Sequence, residues 1–167
     1  MASLDLETLA LKVAIALNDA YSEKANPIAN RAKDLPQLVL QVGLVHALAF
    51  YMSKVEDEDS YRKLYSYLVN RIGMGPSSNV TKQEIRDILS KESAGEGKGY
   101  LTLLAVATVF ISNEVANINE CKDLSSLKDV AKCLLKLKES KEVATLEKRL
   151  LNYLVISKRF LEAFYKE

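Results

Sequence analysis

The chain has 167 residues, 49% of them hydrophobic, with 23 lysines and arginines against 22 aspartates and glutamates. A net charge of +1 gives no global sign of attraction to nucleic acid or anionic lipid, so any such attraction has to be local. This length and apolar content can enclose a core without metal or disulfide support, and the expectation is a single domain over 1–167. Cys121 and Cys133 lack the close pairing of a redox motif and the companions of a zinc site. With no signal peptide expected, they read as reduced, buried thiols in a cytoplasm.

From Leu4 to Tyr21, Leu6, Leu9, Val13, Ala16, Leu17 and Ala20 recur at spacings of three and four, which predicts an amphipathic helix. Asn26-Pro27 interrupts it, with a short helical turn expected across Ile28 to Lys33. Residues 35–50 are apolar on nearly every side and are expected to form an enclosed helix, the hub of the fold, running to about Lys54. Pro36 suits a first helical turn and Asp34 a cap, placing the start near Leu35. Gly43, expected in mid-helix, costs about 1 kcal/mol relative to alanine and predicts a close backbone crossing. Gln37, Gln41 and His46 interrupt the stretch and it falls short of the ~20 apolar residues of a membrane span, so the protein is read as soluble, without a membrane partner.

The acidic run 56–59 fits the positive end of a helix carrying Tyr61, Leu64, Tyr65, Leu68 and Ile72, with Gly73 as its stop. A loop is expected over 73–79. Thr81 and Glu84 have capping-box spacing before a short helix with Ile85, Ile88 and Leu89. The glycine-rich 93–99 reads as a flexible connection, and Tyr100 to about Ile118 as a second buried helix. Leu127, Val130, Leu134 and Leu137 mark another helix, and Val143 to Phe164 the last, with no clear boundary between the two. No period-two alternation calls for strands. The fold is expected to be all-α, a compact bundle of six or seven helices.

Catalytic and metal chemistry finds little support. Gly95 to Gly99 fails as a phosphate loop, since Glu92 and Gly99 stand where glycine and serine or threonine are needed. His46 is the one histidine; without a second ligand on its helix face it reads as a packed or contact-making side chain. No nucleophile elbow surrounds any serine. The expectation is no enzyme, no cofactor and no metal.

Local charge is more informative. Residues 1–23 balance at −3 through Asp5, Glu7, Asp19 and Glu23, whereas residues 24–54 balance at +3 through Lys24, Arg31, Lys33 and Lys54 against Asp34. Arg31, Lys33 and Lys54 lie beside the ends of the expected hub helix and form a candidate phosphate-binding corner. The last helix and its end add Lys148, Arg149, Lys158, Arg159 and Lys166, with Glu147 just before them and Glu162 among them.

Two stretches carry a family resemblance. Leu35-Pro36, Gly43-Leu44 and Ala47-Leu48-Ala49-Phe50, followed far along the chain by Lys158-Arg159-Phe160-Leu161-Glu162-Ala163, resemble motifs of the small helical subunit of the type III-B CRISPR Cmr effector complex, a ribonucleoprotein that recognises foreign RNA with a guide RNA. The family commonly has tryptophan two residues before the Lys-Arg pair; Ile156 stands there in this chain. The resemblance implies an all-helical, non-catalytic subunit, stacked along the guide-bound backbone beside other Cmr-type subunits and helping to hold guide and target RNA. It makes Lys158 and Arg159 candidates for RNA or subunit contact, joined by Arg31, Lys33 and Lys54 from charge alone. Head-to-tail self-association is expected, an acidic N-terminal helix meeting a basic patch on the next copy. The competing expectation is a helical protein–protein adaptor without RNA contact.

Overall fold

The computed structural model describes residues 4–75, 79–91 and 96–167. These residues form eight α-helices: α1 (Leu6–Ala20), α2 (Asn26–Val42), α3 (Leu44–Ser53), α4 (Glu58–Arg71), α5 (Lys82–Lys91), α6 (Glu96–Glu114), α7 (Leu127–Glu139) and α8 (Val143–Tyr165), with a 3-10 turn at Asn119–Cys121. No strand occurs among the described residues, so the all-α expectation holds with one or two more helices than anticipated. Part of the 73–79 loop and of the 93–99 connection lies outside the described residues, including Gly95.

The local signals that succeed are caps and stripes. The Asp5 carboxylate accepts from the Thr8 N–H at 2.9 Å and opens α1, Asp57 caps α4, and the Thr81 hydroxyl accepts from the Glu84 N–H at 3.2 Å ahead of α5. Gly73, with φ of +78°, ends α4 in the left-handed region that glycine enters without steric cost.

The hub is corrected. α6 is enclosed, its residues from Leu101 to Asn113 all buried, and it touches α2, α3, α4 and α8. It begins at Glu96, not Tyr100, and its glycines permit close approach. A Cβ on Gly99 would lie 2.3 Å from the Pro27 carbonyl oxygen and 2.6 Å from Arg31 Cγ, so α2 crosses α6 at backbone contact there. The close-crossing glycine is Gly99.

Residues 35–50 are not one helix. α2 starts at Asn26, with Pro27 in its first turn and Pro36 in its interior, and Ala25 rather than Asp34 at the cap. Gly43 separates α2 from α3 with φ of +88° and ψ of 165°, a region open essentially to glycine alone. A Cβ there would meet only Glu147 Oε2, at 3.6 Å. Conformation, not crowding, calls for this glycine. The break also turns apolar side chains outward: Leu40 is 73% exposed, Val42 45% and Phe50 44%, and His46 is exposed as well. The enclosed hub expected for 35–50 is therefore overturned, and of the two readings of His46, packed or contact-making, the packed one is too.

The reduced cysteines are overturned too. Cys121 and Cys133 are buried but joined in a disulfide between the 3-10 turn and α7. Once the connection after α6 turns back on itself, the two residues meet despite being twelve apart. No described helix is long and apolar enough to cross a membrane.

Candidate nucleic-acid interface

The five cations separate into two places. Arg31 and Lys54 lie around Tyr100. The Arg31 guanidinium donates to the Tyr100 hydroxyl at 2.7 Å, stacks 4.9 Å from the ring centroid, and pairs with Asp34 at 2.9 Å and Glu96 at 3.7 Å. Burial disfavours its charge, but Tyr100, Asp34 and Glu96 outweigh that and hold its pKa above the ordinary value. Its side chain is only 19% exposed. Arg31 is thus bound into the joint between α2 and α6 and largely neutralised. Lys54 is exposed, its ammonium 5.1 Å from the Phe50 ring centroid and 5.9 Å from that of Tyr100, within the range of a cation–π contact.

Lys33, Lys158 and Arg159 lie on the α2 and α8 side. α2 and α8 pack along each other, and at their far end Lys33, Asn30 and Asn26 line one wall of a groove whose other wall is Glu162 and Lys166. Lys158 pairs with Glu162 at 3.9 Å, one helical turn along α8. Arg159 is exposed beside it. Lys148, Asn152, Val155, Arg159 and Lys166 recur at spacings of three and four, apart from the step across Glu162, and all five are exposed. The first four form a stripe along the outer side of the longest helix, and Lys166 follows in extended backbone just past its end. The charge reading counted Lys148 and Lys166 without making them candidates; for Lys148 the signal available was its helical spacing with Asn152 and Arg159.

The corner holding this groove is tightly built. The Ala25 N–H donates to the Tyr165 carbonyl at 2.8 Å, the Tyr165 hydroxyl to the Tyr21 carbonyl at 2.6 Å, and the Asn26 amide exchanges hydrogen bonds with Glu167. Burial pushes the Tyr165 phenol well above its ordinary range. The acidic N-terminal set is partly engaged within the molecule. Asp5 is tied to Thr8 and Asp19 pairs with Arg71 at 3.2 Å, whereas Glu7 and Glu23 are exposed. Among the described residues, no three His, Cys, Asp or Glu side chains gather as a metal-binding group.

Residues 7–107 match a family model described as CRISPR-associated protein (Cas_Cmr5). No curated protein and no solved structure matches the chain. The matched span contains the 35–50 motifs and the α2–α6 crossing, while Lys158 and Arg159 lie beyond it. With more than half of its length matched, and an all-helical architecture around it, the chain belongs to the CRISPR-associated Cas_Cmr5 family, whose members are small subunits of the type III-B Cmr complex.

Proposed function

We propose that this subunit is non-catalytic, works in the cytoplasm in defence against foreign RNA, and lies along the guide-bound backbone of the complex, holding guide and target RNA through its α2 and α8 face. The observation that carries this reading is the exposed stripe Lys148, Asn152 and Arg159, continued by Lys166, with Lys33 and Lys158 at its edge. A guide already supplies sequence discrimination by base pairing, so a supporting subunit needs only a few phosphate contacts. Arg31 acts in this reading as a structural residue and Lys54 as a peripheral contact. Copies stack head to tail, with the exposed Glu7 and Glu23 of one facing the basic side of the next.

The test is the double substitution Lys158→Glu and Arg159→Glu in a complex reconstituted with its other subunits and guide. Target RNA affinity is expected to fall about tenfold, with a shallower salt dependence, while the variant still assembles. Glu7→Lys with Glu23→Lys is expected to weaken self-association; unchanged assembly would remove the proposed pairing.

The adaptor reading has its own support in Leu40, Val42 and Phe50, which are exposed on either side of Gly43 and suited to protein contact. It predicts unaltered RNA affinity in the Lys158/Arg159 variant and no RNA crosslinked to this subunit within the complex.

A further inference from the structure

The disulfide joins two elements of unequal attachment. Cys121 belongs to a connection fixed to the body. Three residues further on, the Leu124 carbonyl accepts from the Tyr61 hydroxyl at 2.6 Å, and the Leu124 N–H donates to the Tyr65 hydroxyl at 3.1 Å. Both tyrosines are buried on α4, and their hydroxyls also bond Thr108 and Ser112 of α6.

Cys133 belongs to α7, which is far less firmly held. α7 packs chiefly against the 3-10 turn that carries Cys121, with lesser contact to α3 and α8. Four of its thirteen residues are buried, Cys133 among them, and Leu135 is 59% exposed. Its polar links to the rest of the molecule include a partly exposed pair, Lys136 with Glu120 at 3.9 Å, and the Leu127 N–H donating to Glu58 at 3.4 Å. Beside its C-terminal end lies a partly open pocket of about 350 Å³, lined by the apolar Val115, Ile118, Leu137 and Leu146 and by the paired Glu114 and Arg149.

We propose that Cys121–Cys133 is a lock on α7: while the bond stands α7 is fixed to the body, and when it is reduced α7 opens as a unit and withdraws Leu137 from the pocket it shares with Val115, Ile118 and Leu146, the other helices staying folded. Cross-linking limits how far the joined segments separate, and an element with few other anchors has the most freedom to regain. Both cysteines are buried, at 0% and 1% exposure, so a reductant reaches the sulfurs only during transient opening of this corner.

The experiment compares hydrogen exchange of the oxidised protein, purified without reductant, with that of protein reduced in denaturant by a water-soluble phosphine and refolded with the phosphine present. One phosphine and one water convert the disulfide to two thiols and a phosphine oxide, the phosphorus losing the two electrons that the sulfurs gain. Amides of 128–139 are expected to exchange about tenfold faster or more after reduction, with those of α4, α6 and α8 unchanged. Cys133→Ala, studied without reductant, is expected to reproduce this pattern. Equal protection of α7 in both forms overturns the proposal, as does a uniform loss of protection across all helices. So does alkylation of two free thiols in the unreduced protein.

Discussion

The Glu147 carboxylate on α8 accepts a hydrogen bond from the Leu44 N–H, the first amide of α3, at 2.9 Å. Gly43 breaks the helical path and leaves α3 with an uncapped start, since a glycine has no side chain to bend back. A carboxylate from a remote helix fills that place, and its charge is favourable at a helix N-terminus. Glu147→Ala is expected to cost about 1 kcal/mol and to lower the urea midpoint without changing the slope. Glu147→Gln keeps an acceptor and should cost less.

Two glycines are irreplaceable for different reasons. At Gly99 an added methyl runs into the Pro27 carbonyl, backbone that cannot swing aside. Gly99→Ala is expected to lose about 1–3 kcal/mol by overpacking and to separate α2 from α6. At Gly43 the methyl has room but φ of +88° does not suit an L residue, so Gly43→Ala is expected to lose about 1–3 kcal/mol through backbone strain. Crystal structures of the two variants separate the causes: displaced helices in the first, a reshaped α2–α3 break in the second.

Arg31 and Lys33, two residues apart, are expected to respond in opposite ways. Arg31→Ala removes the hydrogen bond and stacking on Tyr100 together with two ion pairs, and should destabilise by about 1–3 kcal/mol. Arg31→Lys restores a charge but not the planar fork that spans these partners. The exposed Lys33 changed to alanine should leave stability within about 0.5 kcal/mol. Thermal unfolding of the three variants checks this.

Acid and alkali act on different groups. The Thr8 backbone N–H, then the Thr8 hydroxyl, hold the Asp5 carboxyl below its usual range, and the Arg62 hydrogen bond does the same for Asp59. Their folded pKa values lie below the unfolded ones, so their stabilisation is complete above the unfolded values near about 4 and is lost as pH falls through the folded ones. Asp5→Asn retains a capping acceptor and should flatten the acid limb of a urea-midpoint profile. Burial pushes the Tyr61 and Tyr153 phenols upward. That contribution is intact below the unfolded value of about 10 and is lost as pH rises toward the folded values, so unfolding is expected in alkali above about pH 10.

Elements written in local spacing were legible in the sequence. The stripe of α1, the stop at Gly73, the Thr81 cap and the buried run from Leu101 all follow from residues within a few positions of one another. Misreadings arose where a local signal had two physical explanations. Gly43 fits either a crossing or a positive φ, and Pro36 fits either a first turn or a tolerated interior position once Pro27 has already opened the helix. Nothing near Arg31 reveals Tyr100, 69 residues away, so its hydrogen bond and stacking there were not legible. Spacing did not disclose the disulfide, because twelve residues match no metal or redox signature. The exposed row on α8 needed the structure to show which of its sides faces outward.

The Tyr165 hydroxyl reaches the Tyr21 carbonyl across 144 residues of chain, and this fixes an order of events during synthesis. α1 and α2 leave the ribosome well before α8, yet both pack extensively against it. Their apolar faces therefore wait until the residues through α8 have been made before the corner at Tyr21 can shut, a long-range closure of the kind that slows folding. A nascent chain arrested after α6 would hold the matched family segment with its longest supporting helix still missing.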